Sequence, residues 1–205
     1  MGSAAGQVVG GGAEGDVVLD REEEAVDGVG WGGGRVDGPP RGVHGRSPSS
    51  YPGRVHICFV CTGNICRSPM AALVFGEHLR RAGLADRVRV TSAGTDGWHV
   101  GDAADPRTAR VLARHGYPTA HVAAQVGADH LDADLLVAMD TGHARALRAR
   151  VADPERVTLF RVFDPAAETD LDIPDPYYGG PDGFDQVLAL VEAACPGLVQ
   201  WVLAN

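Results

Sequence analysis

Lysine is absent from this sequence, and cysteine and aromatic residues are scarce. All 18 cationic residues are arginine, and they stand against 27 acidic residues, which gives a net charge of −9. Proteins that bind nucleic acid without sequence specificity neutralise phosphates with many surface cations, so this charge balance argues against that class. Four cysteines in 205 residues are also too few for a scaffold held together by disulfides.

Long hydrophobic runs are missing as well. No apolar run approaches the roughly 18 residues that a membrane-spanning helix needs. The N-terminus lacks the basic segment followed by an apolar segment that is typical of a signal peptide. With 44% hydrophobic and 22% charged residues, the composition is that of an ordinary globular protein. We therefore expect a cytoplasmic enzyme or binding protein that does not associate with a membrane.

Glycine is distributed unevenly along the chain. More than half of the 28 glycines precede Arg54, together with an acidic cluster at 21–24 and a Pro/Ser/Arg-rich segment at 39–52. Neither a strand period nor a helix period persists there for more than a few residues. Such a segment buries too little apolar surface to offset the entropy of ordering it. We expect residues 1–53 to be a disordered, acidic N-terminal extension.

From residue 54 onward, short apolar runs alternate with amphipathic stretches. The apolar runs predict buried strands at 55–60, 88–91, 135–139 and 157–160. The amphipathic stretches predict helices at 68–81, 105–116, 141–151, 183–194 and 198–203. Strands that alternate with helices are typical of an α/β fold with a parallel sheet and right-handed crossovers. About 150 residues are enough for an independent core, so we predict one domain over 54–205.

The segment after the first predicted strand contains groups suited to binding an anion. It reads Cys61-Thr62-Gly63-Asn64-Ile65-Cys66-Arg67-Ser68. Open parallel sheets bind ligands at the carboxyl ends of their strands. Gly63 and Asn64 tolerate unusual backbone angles, so successive N–H groups can curl inward as an anion nest behind a helix N-terminus.

Three side chains of this segment suit phosphoryl transfer. The surrounding amides and the helix dipole would favour the thiolate form of Cys61. The planar guanidinium of Arg67 matches two phosphoryl oxygens at once. Ser68 can donate a hydrogen bond to the sulfur, which stabilises it both as nucleophile and as leaving group.

A zinc site is the main alternative for the crowded cysteines Cys58, Cys61 and Cys66. Cys58, however, lies inside the predicted strand, where its side chain should point into the core. No fourth ligand follows nearby in the sequence. We therefore favour a buried, inert Cys58 and expect no metal.

At this point a family resemblance can be stated. The run from Cys61 to Pro69 resembles the phosphate-binding loop of the low-molecular-weight protein tyrosine phosphatases, and of their bacterial members in particular. Further segments resemble that family in the same order, namely 91–95, 98–101, 105–107, 115–116, 139–140 and the Asp-Pro-Tyr-Tyr-Gly run at 175–179. The resemblance covers residues 54–205. It implies a flavodoxin-like or Rossmann-like fold, with an open, twisted sheet of four parallel strands flanked by helices in three layers.

The resemblance also implies roles for individual residues. Cys61 corresponds to the nucleophile, Arg67 to the phosphate-binding arginine and Asp175 to the general acid. The other residues correspond to the rest of the phosphate-binding loop (Thr62, Gly63, Asn64, Ile65, Cys66 and Ser68), to the walls of a slot for a phenyl ring (Trp98, Tyr177 and Tyr178), and to side chains that brace the loop (Ser92 and His115). No metal or other cofactor is implied.

The implied activity is hydrolysis of phosphotyrosine in proteins, and of small aryl phosphates, through a phosphocysteine intermediate in a monomeric enzyme. An arsenate reductase on the same fold would need further cysteines downstream, where this chain has Cys195 alone. A catalytically silent phosphotyrosine-binding module would be expected to lack Cys61 or Asp175, and both are present. The family also suggests that Cys66 forms a disulfide with an oxidised Cys61; alternatively, Cys66 only fills space under the loop.

Overall fold

Four parallel strands form the centre of the computed structural model, which describes residues 54–180 and 182–205. The strands lie in the order β2-β1-β3-β4, and every neighbouring pair is parallel. Their bounds are β1 Val55–Cys61, β2 Val88–Gly94, β3 Leu135–Ala138 and β4 Val157–Leu159. The predicted four-stranded parallel sheet is confirmed. The disorder predicted for 1–53 concerns residues outside the described ranges.

Helices connect the strands and cover both faces of the sheet. Asp105 begins α2 as predicted, since its side chain accepts a hydrogen bond from the Arg107 backbone N–H and Pro106 occupies the first turn. Two short 3₁₀ turns, Pro154–Arg156 and Phe160–Phe163, flank β4. The α-helices are α1 Arg67–Arg81, α2 Pro106–Arg114, α3 Ala128–Leu131, α4 Thr141–Arg148 and α5 Gly183–Ala204.

The core consists of two apolar clusters, one on each face of the sheet. Alternate residues of a strand point to opposite faces, so Phe59 and Cys61 of β1 belong to one cluster and Cys58 to the other. The larger cluster lies under α1 and α5, where Phe59 makes edge-to-face contacts with Phe75 and Phe160. The smaller cluster lies under α4. This arrangement is the predicted three-layer α/β fold.

The last helix departs from the prediction of two separate helices. α5 runs without a break through Pro196, although proline removes one helical hydrogen bond. Residues on both sides of Pro196, including Cys195 and Leu198, are fully buried, so packing outweighs that cost. The helix also approaches the Phe160–Phe163 turn so closely that a Cβ at Gly197 would lie 2.1 Å from the Phe163 carbonyl oxygen. By length and composition α5 could cross a membrane, but its apolar face packs in the core.

Candidate active site

The loop between β1 and α1, residues 61–67 and hereafter the phosphate loop, is shaped to receive an anion. Asn64 has a φ of 56°, in the left-handed region that asparagine tolerates better than most residues. Among the described residues, no acceptor pairs with the backbone N–H groups of 62–66. Successive unpaired N–H groups beside a helix N-terminus form a binding concavity for negatively charged oxygens.

Asn64 ties the phosphate loop to its surroundings through both ends of its side chain. Its Nδ2 donates hydrogen bonds to Ser68 Oγ (2.8 Å) and Ser92 Oγ (2.9 Å), and its Oδ1 accepts one from the Ala124 N–H (2.9 Å). The Asn64 carbonyl lies 2.7 Å from His121 Nε2. A carbonyl oxygen only accepts, so Nε2 carries the hydrogen and donates it; burial lowers the pKa of the His121 ring. The unusual backbone of Asn64 is therefore held from several sides.

Close approach of β2 supports the first residues of the loop. The Thr62 carbonyl accepts a hydrogen bond of 3.0 Å from the Asp96 N–H, and the Cys61 carbonyl accepts one of 2.8 Å from Thr95. A Cβ at Gly94 would lie 2.5 Å from the Thr62 carbonyl oxygen, a distance that no side chain allows. Glycine at the end of β2 is therefore required for the loop to lie where it does.

The Cys61 thiol lies at the end of β1, 3% exposed, beside the Ser68 hydroxyl. The Cys61 Sγ to Ser68 Oγ distance is 3.0 Å, whereas the Ala93 carbonyl is 3.4 Å from the same hydroxyl. Ser68 Oγ accepts from Asn64, so its single hydrogen can point either to the Ala93 carbonyl or to the sulfur, and the contact with the sulfur is the shorter of the two. A hydroxyl that donates to sulfur stabilises its anionic form, as a nucleophile requires.

Arg67 lies at the floor of the cleft between two carboxylates. Its Nη1 donates to Asp140 Oδ2 (2.9 Å) and to the Ile173 carbonyl (3.1 Å), and its Nη2 donates to Asp175 Oδ2 (2.8 Å). Burial disfavours the charged form of Asp140, but its contacts with His143, which include a hydrogen bond of 2.8 Å from the His143 backbone N–H, and the charge of Arg67 outweigh burial and hold its pKa below the usual range. The Arg67 side chain, only 5% exposed, is therefore fixed in orientation.

The cleft above the phosphate loop has aromatic walls. Its volume is about 190 Å³, and a cavity of about 150 Å³ is known to hold benzene. Tyr177 and Tyr178 meet edge to face at 4.9 Å between ring centroids, and Trp98 is 80% exposed at the rim. Arg107, paired with Asp105, lies over the Tyr177 ring at 5.1 Å. Apart from phosphate-loop residues, the lining side chains are Trp98, His99, Asp175, Tyr177 and Tyr178.

The remaining cysteines have environments that keep their thiols protonated. Burial raises the pKa of Cys58 to about 12 and that of Cys66 to about 12, and it also raises the pKa of Cys195. Cys58 and Cys61 lie on opposite faces of β1. Across residues 54–180 and 182–205, no group of three or more histidine, cysteine, aspartate or glutamate side chains is arranged to hold a metal ion.

One predicted site residue lies elsewhere. His115 was expected to brace the phosphate loop, but it caps the end of α2 and its Nε2 lies 3.6 Å from Asp185 of α5. His121, six residues further on, makes the contact with the loop instead. The two histidines flank a turn, and sequence alone does not show which of them faces the loop. The prediction for His115 was wrong.

Three residues in or beside the cleft were missed by the sequence analysis. Asp140 and His143 lie at the start of α4, and Asp140 follows the end of β3 by two residues, at the edge of the sheet where ligands usually lie. That position was a usable signal for Asp140. His99 packs its ring against Gly63, and its Nδ1 lies 3.0 Å from Asp102 Oδ2. The segment 98–101 was matched to the family, but only Trp98 was assigned a role in it, and His99 was not.

Comparisons with known proteins agree with this geometry. The family model described as low molecular weight phosphotyrosine protein phosphatase matches residues 56–205. The chain is 58% identical over 149 residues to low molecular weight protein-tyrosine phosphatase A of Mycobacterium tuberculosis, covering 72% of this chain and 91% of that protein. It is 56% identical over 149 residues to the low molecular weight protein-tyrosine-phosphatase of Streptomyces coelicolor, covering 70% and 90%.

Solved structures show the same relationship. The crystal structure of YfkJ from Bacillus subtilis superposes with a TM-score of 0.69 at 31% identity, covering 78% of this chain and 98% of that one. YfkJ is named a low molecular weight protein-tyrosine-phosphatase. The predictions of fold, family and enzyme class are confirmed. This chain belongs to the low molecular weight phosphotyrosine protein phosphatase family, whose members are hydrolases.

Proposed function

We propose that this protein hydrolyses phosphotyrosine in proteins, and small aryl phosphates, through a covalent phosphocysteine on Cys61. The observation that carries the proposal is the placement of the Cys61 sulfur. It lies 3.0 Å from the Ser68 hydroxyl, at the base of a loop whose N–H groups 62–66 have no acceptor among the described residues. Arg67 adds a fixed positive charge at the same place. This combination suits a phosphoryl group above a sulfur nucleophile.

In the first step the Cys61 thiolate attacks phosphorus. The sulfur–phosphorus bond forms while the bond to the tyrosyl oxygen breaks, and Asp175 gives its proton to that oxygen. The loop N–H groups and Arg67 hold the other three phosphoryl oxygens, so most of the rate enhancement comes from positioning and electrostatics. These donors already balance the charge of the phosphoryl group, and the proposed mechanism therefore uses no metal or other cofactor.

In the second step water hydrolyses the phosphocysteine. Asp175, now ionised, accepts a proton from the water as its oxygen attacks phosphorus, and the sulfur–phosphorus bond breaks. The sulfur leaves as a thiolate, which the Ser68 hydroxyl stabilises at a distance of 3.0 Å. Inorganic phosphate then departs and the starting state is restored.

Asp175 must change partner between the free enzyme and the substrate complex. Its Oδ2 pairs with Arg67 Nη2 at 2.8 Å, a donor that a bound phosphoryl group would take. The Asp175 side chain is 41% exposed, and its Oδ1 accepts a hydrogen bond of 3.1 Å from the Tyr177 N–H. Exchange of the arginine contact for phosphate leaves Asp175 free to turn towards the leaving oxygen.

The aromatic walls favour an aryl leaving group. Trp98, Tyr177 and Tyr178 can pack on the faces and edges of a phenyl ring, whereas a phosphoserine side chain offers no such surface. We infer that the partners are phosphotyrosine-containing proteins and that the enzyme acts as a cytoplasmic monomer. The net charge of −9 supports the inference that nucleic acid is not a partner. The packing of α5 in the core supports the inference that a membrane is not one.

Two other functions fit the site less well. An arsenate reductase needs accessible downstream thiols, whereas Cys195 is fully buried in α5. A silent binding module would need neither Cys61 nor Asp175.

The test is hydrolysis of a chromogenic aryl phosphate and of matched phosphotyrosine and phosphoserine peptides by the purified chain, with Cys61→Ser as control. Turnover of the aryl phosphate and of the phosphotyrosine peptide is expected, but not of the phosphoserine peptide; binding of the phosphotyrosine peptide without turnover would favour the binding module.

A further inference from the structure

Polar contacts through the start of α4 join the two ends of the phosphate loop. The Thr62 hydroxyl lies 2.8 Å from Nε2 of His143. Nδ1 of His143 lies 2.9 Å from Oδ1 of Asp140, and the other Asp140 oxygen accepts a hydrogen bond of 2.9 Å from Arg67. Thr62 directly follows the nucleophile and Arg67 begins α1. The contacts therefore connect the first residue after Cys61 to the last residue of the loop.

The His143 ring is held in one orientation. It is 6% exposed, and its backbone N–H donates to Asp140 Oδ1 at 2.8 Å as part of the helix cap. An unprotonated Nδ1 would place its lone pair against a carboxylate oxygen 2.9 Å away, which is repulsive. Nδ1 therefore carries a hydrogen, although the contact is too bent for a good hydrogen bond. Nε2 is left to pair with the Thr62 hydroxyl, which donates to it when the ring is neutral.

We propose that His143 is a positioning residue that acts through Thr62. It does not line the cleft, whereas Thr62 does. The backbone of Thr62 is held on one side by the Asp96 N–H and by the close approach of Gly94, and His143 supplies the contact to its side chain. With Thr62 held in this way, its backbone N–H, the first of the N–H groups 62–66, faces the phosphoryl oxygens. The expected effect of His143 on turnover rests on the proposed function, whereas its expected effect on anion binding does not.

The test is a double-mutant cycle with Thr62→Val, His143→Ala and the double variant. Loss of one hydrogen bond to a positioning group is expected to lower kcat/KM for an aryl phosphate about tenfold in each single variant. The double variant should be no slower than the slower single variant, because both changes remove the same contact. The dissociation constant for inorganic phosphate, measured by calorimetry, should rise by a similar factor in all three variants.

His130→Ala is the matched control. His130 is another histidine in the first turn of a helix, and its Nδ1 accepts a hydrogen bond of 3.2 Å from the Gly127 N–H, away from the cleft. Its removal should change stability but neither kcat/KM nor phosphate affinity.

The proposal is overturned if the fold-loss of kcat/KM in the double variant equals the product of the fold-losses in the two single variants. It is also overturned if folded His143→Ala binds phosphate as the wild type does. If the wild type binds phosphate without hydrolysing aryl phosphates, the proposed function fails while the phosphate titration still decides the role of His143.

Discussion

Both ends of the β-sheet hold histidine, arginine and aspartate side chains, but the two groups differ in what they leave unpaired. At the amino end, Arg89 makes two hydrogen bonds to Asp129, at 2.9 and 2.6 Å. His56 Nε2 lies 2.8 Å from Thr91 Oγ1, and the His56 N–H donates to Asp134 at 2.8 Å. The donors and acceptors of this cluster therefore pair with one another.

At the carboxyl end, Arg67 is shared between Asp140 and Asp175, and the N–H groups of 62–66 find no acceptor within the described part of the chain. This end precedes the N-terminus of α1, where backbone N–H groups lack helical partners. The comparison teaches that residue types do not mark an active site. What marks it is a set of converging donors whose partner is a ligand.

The largest effect is expected from Cys61→Ser, which would remove the nucleophile from the carboxyl end. Turnover of an aryl phosphate should fall by about a thousandfold or more, since serine is a far weaker nucleophile at neutral pH. Steady-state kinetics of the folded variant provide the measurement. Cys58→Ala, on the opposite face of β1, should cost stability only. Appreciable turnover by folded Cys61→Ser would remove the phosphocysteine mechanism.

Asp175→Asn should have the next largest effect, and one that depends on the leaving group. General-acid help is worth about 10²- to 10⁴-fold and matters most for a basic leaving oxygen. Aryl phosphates of graded phenol acidity would therefore show a steeper dependence in the variant. The matched change at the amino end, Asp129→Asn, should leave all these rates unchanged. Equal losses across the series would show that Asp175 is not the acid.

A smaller effect is expected from Cys66→Ala, which should change only how activity recovers after oxidation. This variant distinguishes the roles of Cys61 and Cys66, the two thiols at the carboxyl end of the sheet. Burial raises the pKa of Cys66 to about 12, so peroxide should oxidise Cys61 first, to a sulfenic acid. The Cys66 thiol would then form a disulfide with Cys61 and release water. After peroxide and then dithiol, the wild type should recover activity and Cys66→Ala should not. Equal recovery would mean that Cys66 only fills space under the loop.

Changes to the cluster at the amino end of the sheet should alter the free energy of unfolding rather than turnover. Burial, with a smaller contribution from Arg89, lowers the pKa of His56 from 6.5 to about 4. Between pH 6.5 and about pH 4, His56 is protonated in the unfolded chain but neutral in the folded chain. The free energy of unfolding should therefore be highest above 6.5 and fall between 6.5 and 4, by up to about 1.4 kcal/mol per pH unit. Urea unfolding across this window should show a shallower slope for His56→Gln; an unchanged slope would contradict the assignment.

The smallest effect is expected from deletion of residues 1–53. That segment has four arginines and eight acidic residues, and no apolar period that would pack on either end of the sheet. We expect kcat/KM for a small aryl phosphate to be the same for the full chain and for residues 54–205. A tenfold loss on deletion would instead show that the segment covers or orders the cleft.

Most of the fold was predictable because strands and helices differ in period. Differences arose where packing overrode local signals. The prediction ended the second strand at residue 91, but β2 continues to Gly94 because Ser92, Ala93 and Gly94 pair with the end of β1. Phe160 was expected to end the fourth strand; it begins a 3₁₀ turn that places its ring against Phe59 in the core. α3, only one turn long, gave no periodic signal.

The residues from Cys61 to Ser68 could be singled out without a structure because their arrangement is local. A strand end, a left-handed residue and a helix start, all within eight positions, already imply converging N–H groups around a sulfur. The residues that orient this loop are far away along the chain. His121, Asp140 and His143 contact partners 57, 73 and 81 positions earlier. Asp140 and His143 reach the loop because β3 lies beside β1 in the sheet, and His121 because the chain beyond β2 runs back along Gly94 and Asn64. Only the tertiary structure brings these side chains to the phosphate loop, because the local sequence around residues 121, 140 and 143 does not encode which distant loop they contact.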